Sequence, residues 1–330
     1  MKLFFLSVFI GLLPSIFWAQ NDKIIYLDSL GLETTNGNHA SYRTIKNYYL
    51  TQKSYTVLDY YNSGKLKSEG LYLDQNGKQK EGTFIEYYEN GNQKSRKMYS
   101  ENILYGDCAF WYENGNKKIE GEFTVVSDDK FNPLLKIYNY WAENNELKIS
   151  NGQGILTEIL ENETASGEIK NGYKQGLWEG ASQKPIALTF KEYYEKGKLI
   201  EGTATDSLGT VYKYTKTEKV AQPKGGMQNF YKVFATNVKI PQVSENIDQI
   251  KFLFSFTVDE YGKITDIKTL KGYDKKTNKN FIKLLSDWPN WNPAEHRGIK
   301  IKSQFTLPIT VQISSNYLFS PTQGTHTRFR

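Results

Sequence analysis

A chain of 330 residues is too long for one ordinary core, since a domain usually takes roughly 100 to 200 residues, and it points to two domains with room for repeats. A hydrophobic share of 38%, a charged share of 24% and an aromatic share of 15%, with 24 Tyr and 18 Phe, exclude a disordered chain and argue against an all-helical one. One cysteine, Cys108, excludes an internal disulfide and a Cys-rich zinc site, and the net charge of +6 is unevenly spread, with 25 basic and 28 acidic side chains in residues 21–222 against 16 and 8 in residues 223–330.

The first element is Met1-Lys2 followed by an apolar run from Leu3 to Ala19 and then by Gln20-Asn21-Asp22-Lys23. That layout is a secretory signal peptide over residues 1–20. A helix of this run would rise about 25 Å, short of the roughly 30 Å hydrocarbon core, and Pro14 would disturb it. Cleavage near Ala19 or Gln20 is favoured; an uncleaved anchor is the alternative, because Ile16 and Phe17 stand where small residues are preferred. The expected location is outside the cytoplasm, in the periplasm or envelope, so nucleic acid is not an expected partner and membrane contact is indirect or through an uncleaved N-terminus.

Residues 21–220 read as an all-β antiparallel array. Lys23 to Asp28 and Tyr42 to Tyr49 are short strand-like runs that would cap its end. A pattern of paired aromatics, a Gly turn and Lys-rich residues then recurs at Tyr60-Tyr61, Tyr87-Tyr88, Trp111-Tyr112 and Tyr193-Tyr194, with a degenerate copy at Tyr140-Trp141. Gly64, Gly91, Gly115 and Gly197 are the turn residues, and Asn-Gly suggests two-residue type I′ hairpins that stack into an elongated, twisted sheet. A second signal, Asn76-Gly77 to Phe84 and Asn171-Gly172 to Gly180, would let neighbouring backbones pass closely at its glycines while the aromatic stacks on the next rung. Tyr87-Tyr88-Glu89-Asn90-Gly91 and Lys174-Gln175-Gly176-Leu177-Trp178 resemble the MORN repeat in its bacterial antitoxin-like variant, over about residues 57–205. The resemblance implies a scaffold or interaction surface and no reaction, with lipid binding proposed for some members; each aromatic is read first as a spine residue.

Ala221-Gln222-Pro223-Lys224-Gly225-Gly226 is the linker candidate, at residues 221–226. In residues 227–314, Met227, Phe230, Tyr231, Phe234 and Val238 form a helical stripe that ends before Pro241. Phe252, Phe254, Phe256 and Val258 share one side of a strand over residues 250–258, and Asp259-Glu260-Tyr261-Gly262 turns it into a second strand, Lys263 to Leu270. Phe281, Leu284, Leu285 and Trp288 mark a second helix. Ile299, Ile301, Phe305, Leu307, Ile309 and Val311 then alternate along one long strand, with Lys300, Lys302, Gln304 and Thr306 on its other face. Two helices and a three-stranded antiparallel sheet make a small α+β sandwich, and residues 315–330 form a tail.

Phe256-Thr257-Val258-Asp259-Glu260-Tyr261-Gly262-Lys263-Ile264, Trp288-Pro289-Asn290-Trp291-Asn292-Pro293 and Phe305-Thr306-Leu307-Pro308-Ile309, with Val238-Lys239-Ile240-Pro241 ahead of them, resemble the TonB C-terminal domain over about residues 228–313. The resemblance implies a periplasmic domain that captures the N-terminal box of outer-membrane transporters by strand addition, with the last strand as the receiving edge. Lys300, Lys302, Gln304 and Thr306 are then the candidate peptide-binding residues, and edge protection is the competing reading of the lysines. The family's transducers carry a Pro-rich spacer where this chain, with 9 prolines, has a repeat array, which argues against force transmission. Two alternatives stand beside peptide capture: a repeat adaptor or antitoxin-like scaffold with the small domain as anchor, and a transducer of energy-coupled transport with a retained N-terminal anchor.

No catalytic set is legible. His39, His296 and His326 lie in turn-like or terminal segments and read as exposed; Cys108 reads as packed in a strand; Asp128-Asp129 reads as a solvated turn. Phosphate loops, dinucleotide fingerprints and nucleophile elbows are absent, so neither a cofactor nor enzyme activity is expected.

Overall fold

The structure is a computed structural model that describes residues 21–29, 31–126, 129–237, 249–289, 291–312 and 318–320. The N-terminal segment 1–20, the Val238–Pro241 segment, Asn290, Asp128, His326 and most of the tail lie outside the described residues. Two compact units, Met1–Gln153 and Gly154–Arg330, divide the chain.

The first unit is an antiparallel meander. Its strands are β1 (Lys23–Leu27), β2 (Glu33–Thr34), β3 (Ser41–Ile45), β4 (Tyr55–Tyr61), β5 (Leu66–Tyr72), β6 (Lys80–Tyr87), β7 (Gln93–Ser100), β8 (Ile103–Trp111), β9 (Lys117–Val126), β10 (Asp129–Trp141) and β11 (Leu147–Ser150). β1 lies between β2 and β3, and from β3 to β11 each strand pairs with the next. The N-terminal runs are thus strands of the sheet. Ile45, Tyr55, Val57, Tyr72 and Phe84 form a buried cluster on one face.

The turns correct the expected geometry. At Gly64, Gly91 and Gly115 only the glycine has positive φ (83°, 95° and 90°). The bond pairs Tyr61 N to Lys65 O with Gly64 N to Tyr61 O, and their equivalents at Tyr88 and Tyr112, define three-residue loops in which the glycine forms a bulge. Asn90 and Asn114 each accept the N–H two residues on at 2.9 Å, a bond that suits their negative φ, and the first turn forms the same loop with Ser63 in that place. Two-residue turns with both φ positive occur instead at Glu101-Asn102, Asn151-Gly152, Asn171-Gly172 and Lys196-Gly197. The degenerate copy keeps the three-residue loop, with Asn145 at φ 67° in the glycine's place.

Rungs are tied together by the second aromatic of each pair. Tyr61 donates to the Tyr87 carbonyl at 2.8 Å, Tyr88 to Trp111 at 3.0 Å and Tyr112 to Trp141 at 2.9 Å. Asn90 and Asn92 both reach the Glu113 carbonyl, and Asn116 reaches that of Glu143. In the strand interiors, the Phe84 ring covers Gly70, a glycine outside the second signal; within that signal Gly180 lies against the Thr164 carbonyl and the Phe190 ring, while a Cβ at Gly82 or Gly176 would meet no neighbour.

The second unit starts with a meander of β12 (Gln153–Leu160), β13 (Glu163–Lys170), β14 (Tyr173–Ser182), β15 (Leu188–Glu195), β16 (Lys198–Asp206) and β17 (Val211–Tyr214). Trp178 covers Gly167 and Tyr214 covers Gly202, by the same device as Phe84 on Gly70. There follow β18 (Glu218–Lys219), α1 (Gly226–Asn237), β19 (Gln249–Val258), β20 (Ile264–Lys271), α2 (Lys275–Ser286), β21 (Ala294–His296), β22 (Ile299–Ile301), β23 (Ser303–Gln312) and β24 (Leu318–Ser320). Asp274 caps α2 by accepting from the Lys276 and Thr277 amides.

Two sheets replace the expected single three-stranded one. β20-β19-β23-β24 has four strands and β18-β21-β22 has three. The long strand expected from 299 to 311 is broken at Lys302, where the chain passes from the small sheet to the larger one. Its alternation survives because Ile301, Phe305, Leu307, Ile309 and Val311 all enter one core, with Phe230, Phe234, Phe254, Phe256, Phe281 and Trp291. The Ala221–Gly226 segment is docked: Ala221 is buried in that core and Gln222 exchanges backbone bonds with Asn292.

Candidate functional site

The sheet has two margins, β20 on one side and, on the other, β23 with the short β24 along part of it, and they differ. β20 is paired to β19 with two register shifts, carries a positive-φ residue in its middle (Asp266, φ 53°) and exposes Lys268 and Lys271, all features that discourage pairing. β23 runs ten residues against β19 without a shift. Pro308 has no N–H to give, so its nitrogen and carbonyl face away from β19, and by the strand's period of two the backbone groups of Gln304, Thr306, Thr310 and Gln312 face away with it.

The expectation that this edge is wholly open needs correction. β24 pairs with Thr310, Val311 and Gln312, so the chain's own backbone occupies the far end. Among the described residues, Ser303 to Ile309 has no strand on that side.

Lys300, Lys302 and Gln304 are brought together around an open concavity of about 790 Å³ that also meets Lys184, Ser255, Asp266 and Lys268. Thr306 lies farther along β23 and does not line it. The side chains of Lys300, Lys302 and Gln304 therefore flank the sheet face opposite the helices. Gln304 donates to Ser255 Oγ at 2.9 Å, and Lys302 lies 3.8 Å from Asp266. Gly64, Gly91, Gly115 and Gly197 sit at hairpin tips and act on backbone geometry alone.

One buried cluster was not foreseen. β15 alternates buried and exposed without a fault, and the inward residues are Leu188, Phe190, Glu192 and Tyr194. Glu192, 3% exposed, meets Arg297 Nε at 2.9 Å and accepts the hydroxyls of Tyr194 and Tyr214, each at 2.8 Å. Arg297 also donates through both terminal nitrogens to Glu163, at 2.8 and 2.7 Å, and its guanidinium lies 3.6 Å from the centre of the Phe190 ring. Burial opposes the Arg297 charge, but hydrogen bonds and charge from Glu163 and Glu192 outweigh it and keep the group protonated. Burial and the same Glu192 raise both tyrosines above their ordinary range.

His296 is also buried, against the reading of all three histidines as exposed, since it points inward from β21. Arg297 can only donate, so His296 Nε2 accepts from it at 3.2 Å, and Nδ1 carries the hydrogen that faces Glu218 at 2.6 Å. His39 is half-buried against Tyr26 and Tyr42. Cys108 is buried, as read, and burial with Asp107 and Glu122 nearby pushes its thiol up to about 12, which leaves little nucleophilic thiolate at neutral pH. Among the described residues no group of three His, Cys, Asp or Glu side chains is placed to hold a metal ion, and no helix is long and apolar enough to cross a membrane.

The geometry defines a hairpin-repeat β protein with an α+β module attached. A family model described as "MORN repeat variant" matches residues 56–74 and 80–102, which take in β4 from its second residue, β5, β6 and β7. No curated protein matches the chain.

Proposed function

We propose that the C-terminal part of this chain is a non-enzymatic peptide-capturing module of the TonB C-terminal kind, exported to the periplasm or envelope, which takes an extended segment of an envelope protein onto the outer edge of β23. The observation that carries this reading is the uninterrupted β19–β23 ladder, whose outer side carries no strand from Ser303 to Ile309 among the described residues. Transporter N-terminal segments are the partner class that the resemblance implies, and the apolar Leu3–Ala19 run supports export.

Strand addition here uses the N–H and C=O of Gln304 and Thr306 and the C=O of Pro308. At a net of about 1 kcal/mol each, these bonds give roughly 5 kcal/mol before ordering costs, a reversible grip. Thr306→Pro removes one outward N–H and leaves the β19 ladder alone, whereas Phe305→Pro would break that ladder and with it the fold. Titration of the full chain with envelope-derived transporter N-terminal peptides tests the reading: Thr306→Pro weakens binding at least about fivefold while the melting curve stays in place, and equal binding by wild type and variant refutes it.

The match of the MORN repeat variant to β4–β7 supports a second reading, in which the repeat strands are an adaptor surface and the C-terminal module an anchor. Affinity capture with residues 21–222 retains the partner under that reading and loses it under the first.

A further inference from the structure

We infer that the concavity beside Lys300 and Lys302 is a binding groove for an acidic polypeptide segment, recognised by its side-chain carboxylates and independently of strand addition at the β23 edge. Four lysines converge on it, Lys184, Lys268, Lys300 and Lys302, against two acidic residues, Glu260 and Asp266. Among the described residues Lys184, Lys268 and Lys300 have no carboxylate within 4.0 Å, and Lys302 has only Asp266 at 3.8 Å, with both side chains more than half exposed. Four ammonium groups thus share one concavity with two carboxylates, and a concave wall focuses their field.

The groove's chemistry selects among anions. Among the described residues its lining holds no arginine, so the forked donor that grips a phosphate in two bonds is missing, and no aromatic side chain on which a sugar ring could stack, which disfavours an acidic polysaccharide. What remains is a set of separated point charges over a floor of hydroxyls, Ser255 and Thr257, both buried, and the Gln304 amide held by Ser255. Separated ammonium groups match carboxylates spaced along an extended peptide, and small polar floor groups accommodate its backbone. An open volume of about 790 Å³ suits a short segment.

The test uses the full chain and a fluorescent hexaglutamate peptide, capped at both ends, followed by anisotropy at low salt. Wild type binds it and does not bind capped hexaglutamine; raising salt to about 0.3 M, where the Debye length falls to several ångströms, weakens binding strongly. Lys300→Gln with Lys302→Gln weakens it about fivefold, as expected for two exposed pairs, while Lys191→Gln, outside the groove, and Thr306→Pro, at the edge, leave it unchanged. Equal binding by the double variant, equal binding of hexaglutamine, or binding of oligogalacturonate in preference to hexaglutamate overturns the assignment. Loss of hexaglutamate binding in Thr306→Pro overturns it too, because it moves the contact to the strand edge.

Discussion

The Nε of Arg297 lies 2.9 Å from Oε1 of Glu192, a carboxylate set in the middle of an otherwise apolar strand face. Arg297 is held at φ 47°, and Gly298 follows at φ 81°, so the β21–β22 turn delivers the guanidinium onto β15 and the same hairpin continues through Lys302 into β23. The strand proposed to receive a peptide is thereby braced against the repeat strands of its own unit.

Removing the cation leaves Glu192 buried without a charge partner. Arg297→Leu should lower stability by about 3–5 kcal/mol, measured by urea unfolding, and Glu192→Gln should lower it less because an amide still meets the tyrosine hydroxyls. A loss below about 1 kcal/mol for Arg297→Leu would mean that the cluster is better hydrated than its 3–4% exposure indicates.

Glycines under aromatic rings give a second prediction. A Cβ at Gly167 would fall within the Trp178 ring, and one at Gly70 within that of Phe84. Gly167→Ala and Gly70→Ala should each cost about 1–3 kcal/mol through overpacking, seen as a lower melting temperature. Neutral substitutions would show that the rings move aside freely.

How far these features could be read in advance follows from their periodicity. Hairpin positions, the β19–β20 turn and both helices were legible, because a repeat of aromatics and glycine, or an i, i+3, i+4 stripe, is a local signal. The turn type was not, since Asn-Gly occurs both in the three-residue loop at Asn90-Gly91 and in the two-residue turn at Asn171-Gly172. The break at Lys302 was hidden because Ile301 and Phe305 serve one core from two sheets, so the alternation runs through the crossing unchanged. Glu192 did carry a signal: a charged residue in phase with Leu188, Phe190 and Tyr194 must have a partner inside. Its partner lies 105 residues away, beyond any local pattern. Pairing of β24 with the end of β23 was equally invisible, as it depends on a three-residue strand with no alternation of its own.

Alkaline pH should unfold the protein earlier than its charge alone suggests. Burial, reinforced by the bond to Glu69, pushes the Tyr87 hydroxyl up to about 12 from an ordinary value of 10, and Tyr112, Tyr194 and Tyr214 are raised as well. A raised folded value favours the folded state fully below pH 10, and the advantage is lost as pH climbs from 10 through about 12, where the unfolded tyrosines have already ionised. Urea midpoints should therefore be level through about pH 9 and fall steadily above about pH 10. A midpoint that stays level to about pH 11.5 would contradict this.

The most direct measurement is residue-resolved backbone amide exchange along β23 in the free chain. Phe305, Leu307 and Ile309, which face β19, should be strongly protected, while Gln304 and Thr306 exchange orders of magnitude faster and become slow when a capturable peptide is added. If Thr306 is as protected as Phe305 with no peptide present, the edge is already closed and capture by strand addition fails.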